Sequence, residues 1–422
     1  MAKSWLERWC LVLGALGVGL AALPRTEPET WTIVVGGDTA GYLAPCGCAK
    51  PMVGGVMRRA TVVRNAASER TVSLELGPLA GGLGRQSELK AETLAELTAS
   101  LGVDAIGLSA DDARLGSGVV ASVARLSQDR LTTLSLGAGG ALGLPRTRTK
   151  GPFLIGAASV EATQMATRLA DEAVPVNAAV QELVDEAQTE HKVPILLLDG
   201  RLDDARRTAE AHPELALVVY RSPGDPPREP VKVGATWLVS PGEKGKHVVR
   251  VEWSAGSLRG YQPIKLGADL VDDERAAALY REYQDRVRSE NLLARRPRSK
   301  GEAFAGSDAC GICHAAAYTV WKDSQHAGAL ATLDKTGHDA DPECVGCHVV
   351  GLDRDTGFKS RALTPELADV GCESCHGPGA AHVADPGKGR MGKAGAGSCA
   401  PCHVPDHSPG FDFAAYWERI KH

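Results

Sequence analysis

The sequence predicts an α/β domain with both sheet faces covered, followed by a smaller domain in which strand-like runs vanish. Three observations carry this. Short apolar runs alternate with helical patterns from Thr32 to Trp253. From Phe304 onward the composition changes, and Gly, Pro, Cys and His take over. Eight of the eleven cysteines fall between Cys310 and Cys402, so redox or metal chemistry is concentrated in the last quarter. A chain of 422 residues is too long for one ordinary core and implies two or three domains. A net charge of −5 with 23% charged residues fits a globular protein and offers no basic patch for nucleic acid. Aromatic residues make up only 5%, so something else fills part of the interior.

The first segment, 1–29, reads as a cleaved export signal or a retained membrane anchor. Lys3 and Arg8 precede an apolar run from Trp9 to Leu23, which is short for a spanning helix. No good Ala-x-Ala cleavage site stands near Ala22, and Cys10 has no lipobox before it.

The α/β domain is placed at 30–270. Buried-strand runs include TIVVGG, TVSLELG, DAIGLS, TTLSLG, FLIGAAS, VPILLLDG, LALVVYR, TWLVSPG and HVVRVEW. Helical stretches lie between them at Ser87–Ser100 and Gly116–Asp129, with one long amphipathic pattern over Val160–Thr189. Such alternation argues for a sheet covered on both faces. A charged helical stretch, Asp272–Ala294, leads into ARRPRSKGEAFAGS, a basic, breaker-rich linker. Together these form the segment 271–302, and 303–422 is the second domain.

Every one of the eight clustered cysteines belongs to a CxxCH motif. The copies are Cys310/Cys313/His314, Cys344/Cys347/His348, Cys372/Cys375/His376 and Cys399/Cys402/His403. CxxCH is the attachment signature of c-type haem. The two thiols form thioethers to the porphyrin and the adjacent histidine reaches the iron as proximal ligand. A zinc ribbon needs two cysteine pairs per metal and has no use for a histidine after each pair. A thioredoxin-like CxxC belongs in a βαβ context absent from this part of the chain. The expected cofactors are four haem c groups. They would also supply apolar volume that GPGAAHVADPGKGRMGKAGAG cannot.

Five further histidines lie in this domain: His326, His338, His382, His407 and His422, against one methionine, Met391. That count favours bis-histidine ligation. His326, His382 and His422 are the expected distal ligands, with His407 and His338 weaker candidates. Bis-histidine iron passes electrons and binds no substrate. An iron without a distal ligand would take a small molecule such as nitric oxide.

These residues bring a family into view. GSDACGICH, the Trp321-x-x-Ser324-x-His326-Ala327 element, CVGCHVVG, CESCHGPGAAH and CAPCH followed by HSPGFDFAAYWERIKH resemble the tetrahaem cytochrome c-554 family. The resemblance covers about Ala303–His422. It implies a mainly helical, loop-rich tetrahaem cytochrome c domain with closely stacked haems, distal histidines near His326 and His382, and one five-coordinate haem. The upstream domain resembles the calcineurin-like metallophosphoesterases of the 5′-nucleotidase type, through TIVVGGDTAGYLAPCGC, GGVMRRATVV, LELGPLAGG and DAIGLSADD. That implies an α/β layered sandwich. The metal ligands are missing from the family positions. Asp38-Thr39-Ala40 keeps only the aspartate, Gly77-Pro78 replaces Gly-Asp, and Ser109-Ala110-Asp111-Asp112 replaces the Asn-His element. LLLDGRLDD and VVYRSPGDPP lack the downstream histidines, and His191, His212 and His247 match no ligand position. Two metals cannot be held by one aspartate, so phosphoesterase activity is not expected. Cys46 and Cys48 stand as a strained disulfide, a metal- or partner-binding thiol pair, or a local structural feature.

The function expected from the sequence is electron transfer by an exported multihaem cytochrome, its N-terminal domain acting as dock or scaffold. Its partners would be periplasmic or membrane-bound redox proteins. The alternative is a haem enzyme acting on a small nitrogen or sulfur compound at an open iron.

Overall fold

The structure is a computed structural model that describes residues 29–45, 52–387 and 389–422. The export or anchor segment, Cys10, Cys46 and Cys48 lie outside the described residues.

Among the described residues twelve strands form two sheets. They are β1 (Thr30–Gly37), β2 (Thr71–Leu76), β3 (Ala105–Gly107), β4 (Leu131–Thr132), β5 (Thr147–Lys150), β6 (Phe153–Ser159), β7 (Val193–Asp199), β8 (Leu217–Tyr220), β9 (Val231–Val233), β10 (Thr236–Val239), β11 (His247–Ser254) and β12 (Ser257–Lys265). The first sheet runs β12-β11-β1-β2-β3-β4 and the second β5-β6-β7-β8-β10-β9. β1 pairs parallel with β2 and antiparallel with β11, Thr30 facing Ser254. The helices are α1 (Val56–Ala66), α2 (Arg85–Leu101), α3 (Ala110–Ala113), α4 (Ser117–Leu126), α5 (Ala162–Leu169), α6 (Val176–Thr189), α7 (Leu202–Ala211) and α8 (Glu274–Ser289).

The strand period explains the layering. Successive side chains point to opposite faces. Ile33 and Val35 of β1, with Val72, Leu74 and Leu76 of β2, meet Phe153, Ile155, Ile195 and Leu197 of the second sheet. The intervening Val34 packs against Val62 and Val63 of α1. On β2 the same alternation turns Glu75 toward α1, where the buried Arg59 meets it at 2.5 Å. The outer face of the second sheet is covered by α6 and α7 through Ala179, Leu183, Ala205 and Ala209. The result is a layered α/β sandwich with both faces of each sheet covered, the fold that the metallophosphoesterase resemblance implies.

Two expectations need correction, and one strand was not foreseen. The amphipathic pattern over Val160–Thr189 is two helices, because Ala170 closes α5 at φ 54° and Pro175 precedes α6. Of the run TTLSLG only Thr132 lies in a strand, at the end of β4, and Leu136 makes a single bridge to Ala173. The strand β12 has no apolar alternation and contains Pro263, which an edge position tolerates.

From Ser307 onward the regular structure is short helical turns joined by loops. The buried aliphatic cluster here is small and lies between Leu330 and Leu367. Among the described residues after Leu367 no hydrophobic side chain is buried. No helix among the described residues is long and apolar enough to cross a membrane.

The two parts meet in two places. The segment before Cys344 is held by Gln86 on Asp341 (2.6 Å), Lys90 on Glu343 (2.5 Å) and Arg288 on Asp339 (2.7 Å). Asp406, three residues past His403, is gripped by Lys244 and by Lys246 at 3.3 Å, while the Tyr42 hydroxyl donates at 3.4 Å. These partners pull the Asp406 carboxyl below its ordinary pKa against the opposing effect of burial.

Candidate functional site

The first, second and fourth CxxCH motifs begin at the end of a short helix, and the third, Cys372–His376, is itself one helical turn. The cysteines, three apart, share one face of the turn. His314 and His403 donate their backbone N–H to Cys310 and Cys399 carbonyls at 2.9 Å, so each histidine is fixed at the turn's end. None of the eight cysteines is in a disulfide.

Cys313 departs from the common setting that the four identical motifs imply. Cys310, Cys344, Cys347, Cys372, Cys375, Cys399 and Cys402 are half-buried, whereas Cys313 is exposed. The reason is local. The first motif's helix ends at Gly311, and Ile312 beside Cys313 is 83% exposed, so no neighbouring segment covers this side of the turn. The Cys313 thiol stands at the solvent edge of the turn, and Cys310 of the same pair is half-buried.

Three CxxCH histidines each face a histidine from elsewhere in the chain. The ring centroids of His314 and His382 are 6.2 Å apart, those of His326 and His403 6.3 Å, and those of His376 and His422 5.8 Å. An imidazole nitrogen binds a transition metal at about 2 Å, so two rings on opposite sides of one ion have centroids roughly 6 Å apart. Hydrogen bonds set the rings' outward edges. The Nδ1 of His376 meets Gly392 O at 2.9 Å, that of His382 meets Gly389 O at 2.8 Å, and that of His422 meets Ile420 O at 3.0 Å. His403 Nδ1 meets Ser408 Oγ at 3.1 Å. A carbonyl partner fixes the Nδ1–H tautomer and leaves Nε2 with its lone pair, the arrangement of metal-ligating histidines. Burial pushes the His326 and His403 pKa values down, which keeps both neutral. These donor sets fit haem iron.

The second motif differs. His348 Nδ1 meets Ala329 O at 2.7 Å, but among the described residues no histidine ring stacks opposite it. The half-buried His407 bonds through its backbone N–H to Val404 O and likewise faces no histidine ring among the described residues. His338 is held by Tyr280 and Thr336.

The sulfur atoms show how the sites adjoin. Cys310 lies within hydrogen-bond reach of Cys372, and Cys347 of Cys402. Cys375 and Cys399 are near enough to interact electrostatically. The first and third sites are therefore neighbours, as are the second and fourth, and the third adjoins the fourth.

In the α/β part, a cluster of carboxylates gathers at the strand ends. Gly37, at φ 131°, turns β1 so tightly that a Cβ there would sit 2.2 Å from Leu76 O. Asp38 follows, 4% exposed. Arg221, just after β8, reaches Asp38 at 3.3 Å, Asp111 at 3.4 Å and Asp199 at 3.0 Å. A guanidinium thus sits among three carboxylates. The residues do not fit a pair of metal ions, because the positive charge is already supplied by the chain. The sequence shows the missing histidines in VVYRSPGDPP but not that Arg221 of that run supplies the positive charge that metal ions would bring. His212 and His247 are buried and His191 is exposed, all away from this cluster's ion pairs.

Asp112 is buried beside it. Its carboxylate accepts N–H bonds from Leu79 and Ala80, both at 2.9 Å, and a hydroxyl bond from Ser109 at 2.7 Å. Burial outweighs these bonds and pushes the carboxyl up to about 6 from 3.8. A raised folded-state value means its contribution to stability is fully present below about 4 and is lost as pH rises through 6. Asp112→Asn should therefore reduce the fall in stability between pH 4 and pH 7 by on the order of 2–3 kcal/mol. Urea midpoints at the two pH values check this; equal falls in both proteins would refute it.

Comparison with known proteins agrees with both halves. The family described as cytochrome c554 and c-prime matches residues 309–377. Cytochrome c-554 of Nitrosomonas europaea is 37% identical over 91 residues, covering 18% of this chain and 39% of that protein. The chain thus spans less than half of that relative. The 5′-nucleotidase precursor of Thermus thermophilus superposes with TM-score 0.50 at 16% identity, covering 73% of this chain and 68% of that one. The NAD nucleotidase of Haemophilus influenzae gives 0.53 at 12%, covering 67% and 64%. The C-terminal part resembles the cytochrome c-554 family, and the N-terminal part has the fold of a 5′-nucleotidase-type metallophosphoesterase whose metal positions are not kept.

Proposed function

We propose that this protein is an exported tetrahaem cytochrome that relays electrons, with its N-terminal domain as scaffold. The observation that carries the reading is the set of three facing histidine pairs, His314/His382, His403/His326 and His376/His422. Haem c, when bound, supplies reversible one-electron chemistry at iron. The chain's own residues hold that chemistry in place. The cysteines anchor the ring edges, the Nδ1 hydrogen bonds aim each imidazole, and the adjoining sulfur positions keep successive sites within a short path. Attachment of haem c and the likeness to cytochrome c-554 support an extracytoplasmic location and redox-protein partners. The ion pairs at Asp406 and Glu343 support the scaffold role. The carboxylates around Arg221 argue against hydrolysis by this domain.

A second reading rests on His348, which has no facing histidine among the described residues. Its iron would be five-coordinate and would react with a small nitrogen or sulfur compound.

The test is low-temperature electron paramagnetic resonance on the oxidised protein, with pyridine haemochrome to count haems. Four haems with a low-spin majority and one high-spin component are expected. A count below four, or a high-spin majority, would overturn the assignment of the three pairs.

A further inference from the structure

His338 stands six residues before Cys344 and carries the chemistry to be a sixth ligand for the second iron. Its ring is engaged elsewhere. The Tyr280 hydroxyl lies 2.5 Å from His338 Nε2, and His338 Nδ1 lies 2.8 Å from Thr336 Oγ1. Burial holds the Tyr280 phenol far above its ordinary pKa, so it stays protonated and donates. The hydrogen-bond network then assigns Nε2 as acceptor and Nδ1–H as donor to Thr336. The lone pair that would bind iron is the one that Tyr280 occupies.

Tyr280 does not belong to the haem domain. It lies on α8, is 9% exposed, and stacks on Tyr283 with ring centroids 5.9 Å apart. Gln86 of α2 donates to both the Tyr283 hydroxyl (3.0 Å) and Asp341 (2.6 Å), while Gln284 of α8 donates to Thr336 O at 3.0 Å. Cys344 is among the groups that act electrostatically on Tyr280, which sets this cluster beside the second attachment motif. The segment leading into that motif is thus clamped by the N-terminal part at His338, Thr336 and Asp341.

We propose that Tyr280 is a latch that holds the ligating nitrogen of His338 away from the second haem, so that the N-terminal domain keeps that iron's sixth position open. This rests on the reading that the iron bound by His348 has no distal protein ligand. Tyr280 is a positioning residue: it acts on the coordination state through His338. The domain that has lost its hydrolytic centre thereby governs which ligands the cytochrome domain can bind.

The test compares spin states in the purified holoprotein. Wild type shows a high-spin component that shifts with cyanide. Tyr280→Phe removes the donor while keeping the stacked ring; its high-spin component converts to low-spin and cyanide binding is lost. Tyr280→Phe/His338→Ala regains both. His338→Ala alone, which leaves α8 untouched, keeps the wild-type spectrum. A high-spin signal that persists in Tyr280→Phe overturns the latch while the open-iron reading stands. A Tyr280→Phe protein that stays low-spin when His338 is also removed overturns the role of His338, as does loss of the high-spin signal in His338→Ala. A wild type with no high-spin component overturns both the latch and the open iron.

Discussion

Produced in cells that cannot attach haem c, the full-length chain is expected to retain a protease-resistant α/β part and to be digested across residues 368–422. Ordering a residue's backbone costs about 1–2 kcal/mol. A fully buried aliphatic or aromatic side chain returns about 1.5–3 kcal/mol. The described residues after Leu367 bury no hydrophobic side chain, so the stretch has no such return from its own sequence. Aromatic residues here gather on the histidine of the fourth motif instead: Phe411 stacks on His403 at 4.4 Å and Tyr416 meets it edge-on at 5.6 Å. The small cluster from Leu330 to Leu367 should give intermediate protection. Limited proteolysis read by mass spectrometry, with and without haem attachment, makes the comparison. Equal protection of 368–422 in both preparations would show that the chain folds there unaided.

The second large effect is expected at Arg221. Arg221→Met should cost about 3–5 kcal/mol at pH 7, because removing one partner of a buried ion cluster leaves the others uncompensated. The side chain is 18% exposed and its carboxylates Asp38 and Asp199 are 5% and 9% exposed, so solvent cannot replace it. Burial already raises the Asp38 pKa against the pull of Arg221. Without the guanidinium the Asp38 carboxyl would rise further and would protonate on mild acidification. The loss should therefore shrink between pH 7 and pH 5. Arg207→Met serves as the control, since Arg207 is 70% exposed and pairs with Asp204 on the surface. Such exposed pairs contribute about 0–1 kcal/mol. Denaturant titration of the two variants separates the cases, and equal losses would mean that Arg221 is an ordinary surface cation.

What the sequence reveals depends on the range of the interaction concerned. The CxxCH motifs are local, because thioether attachment and proximal ligation fit within one helical turn. The exposure of Cys313 is not local, since it depends on which distant segments pack over a turn, and four identical motifs hide that difference. The α/β pattern is visible because buried strands such as TVSLEL and VPILLLD carry their burial in every residue. His326, His382 and His422 stand out as residues, but the rings they face are set by packing between distant segments. His326 faces the fourth motif and not the first, which lies closest to it in sequence. Arg221 escaped notice because the motif reading looks for ligands and has no template for a cation that takes their place. Tyr280 escaped because a tyrosine on an amphipathic helix reads as core, and its hydrogen bond crosses from α8 to the turn before Cys344. The edge strand β12 carries Gly260 and Pro263 and shows no period for a sequence to display.

The placement of β1 has a consequence for how the protein is made. All strands of the second sheet come from one uninterrupted stretch, Thr147 to Val239. The first sheet is split around it, with β1 lodged between β2 and β11. The second sheet can therefore form as soon as its own residues are available, through parallel neighbours close in sequence. The first must wait for residues up to Ser254 before β1 gains its antiparallel partner, and such distant pairings are slow to form. A chain emerging from its N-terminus would hold β1 paired on one side only until β11 follows, so the first sheet would close around its earliest strand late in assembly.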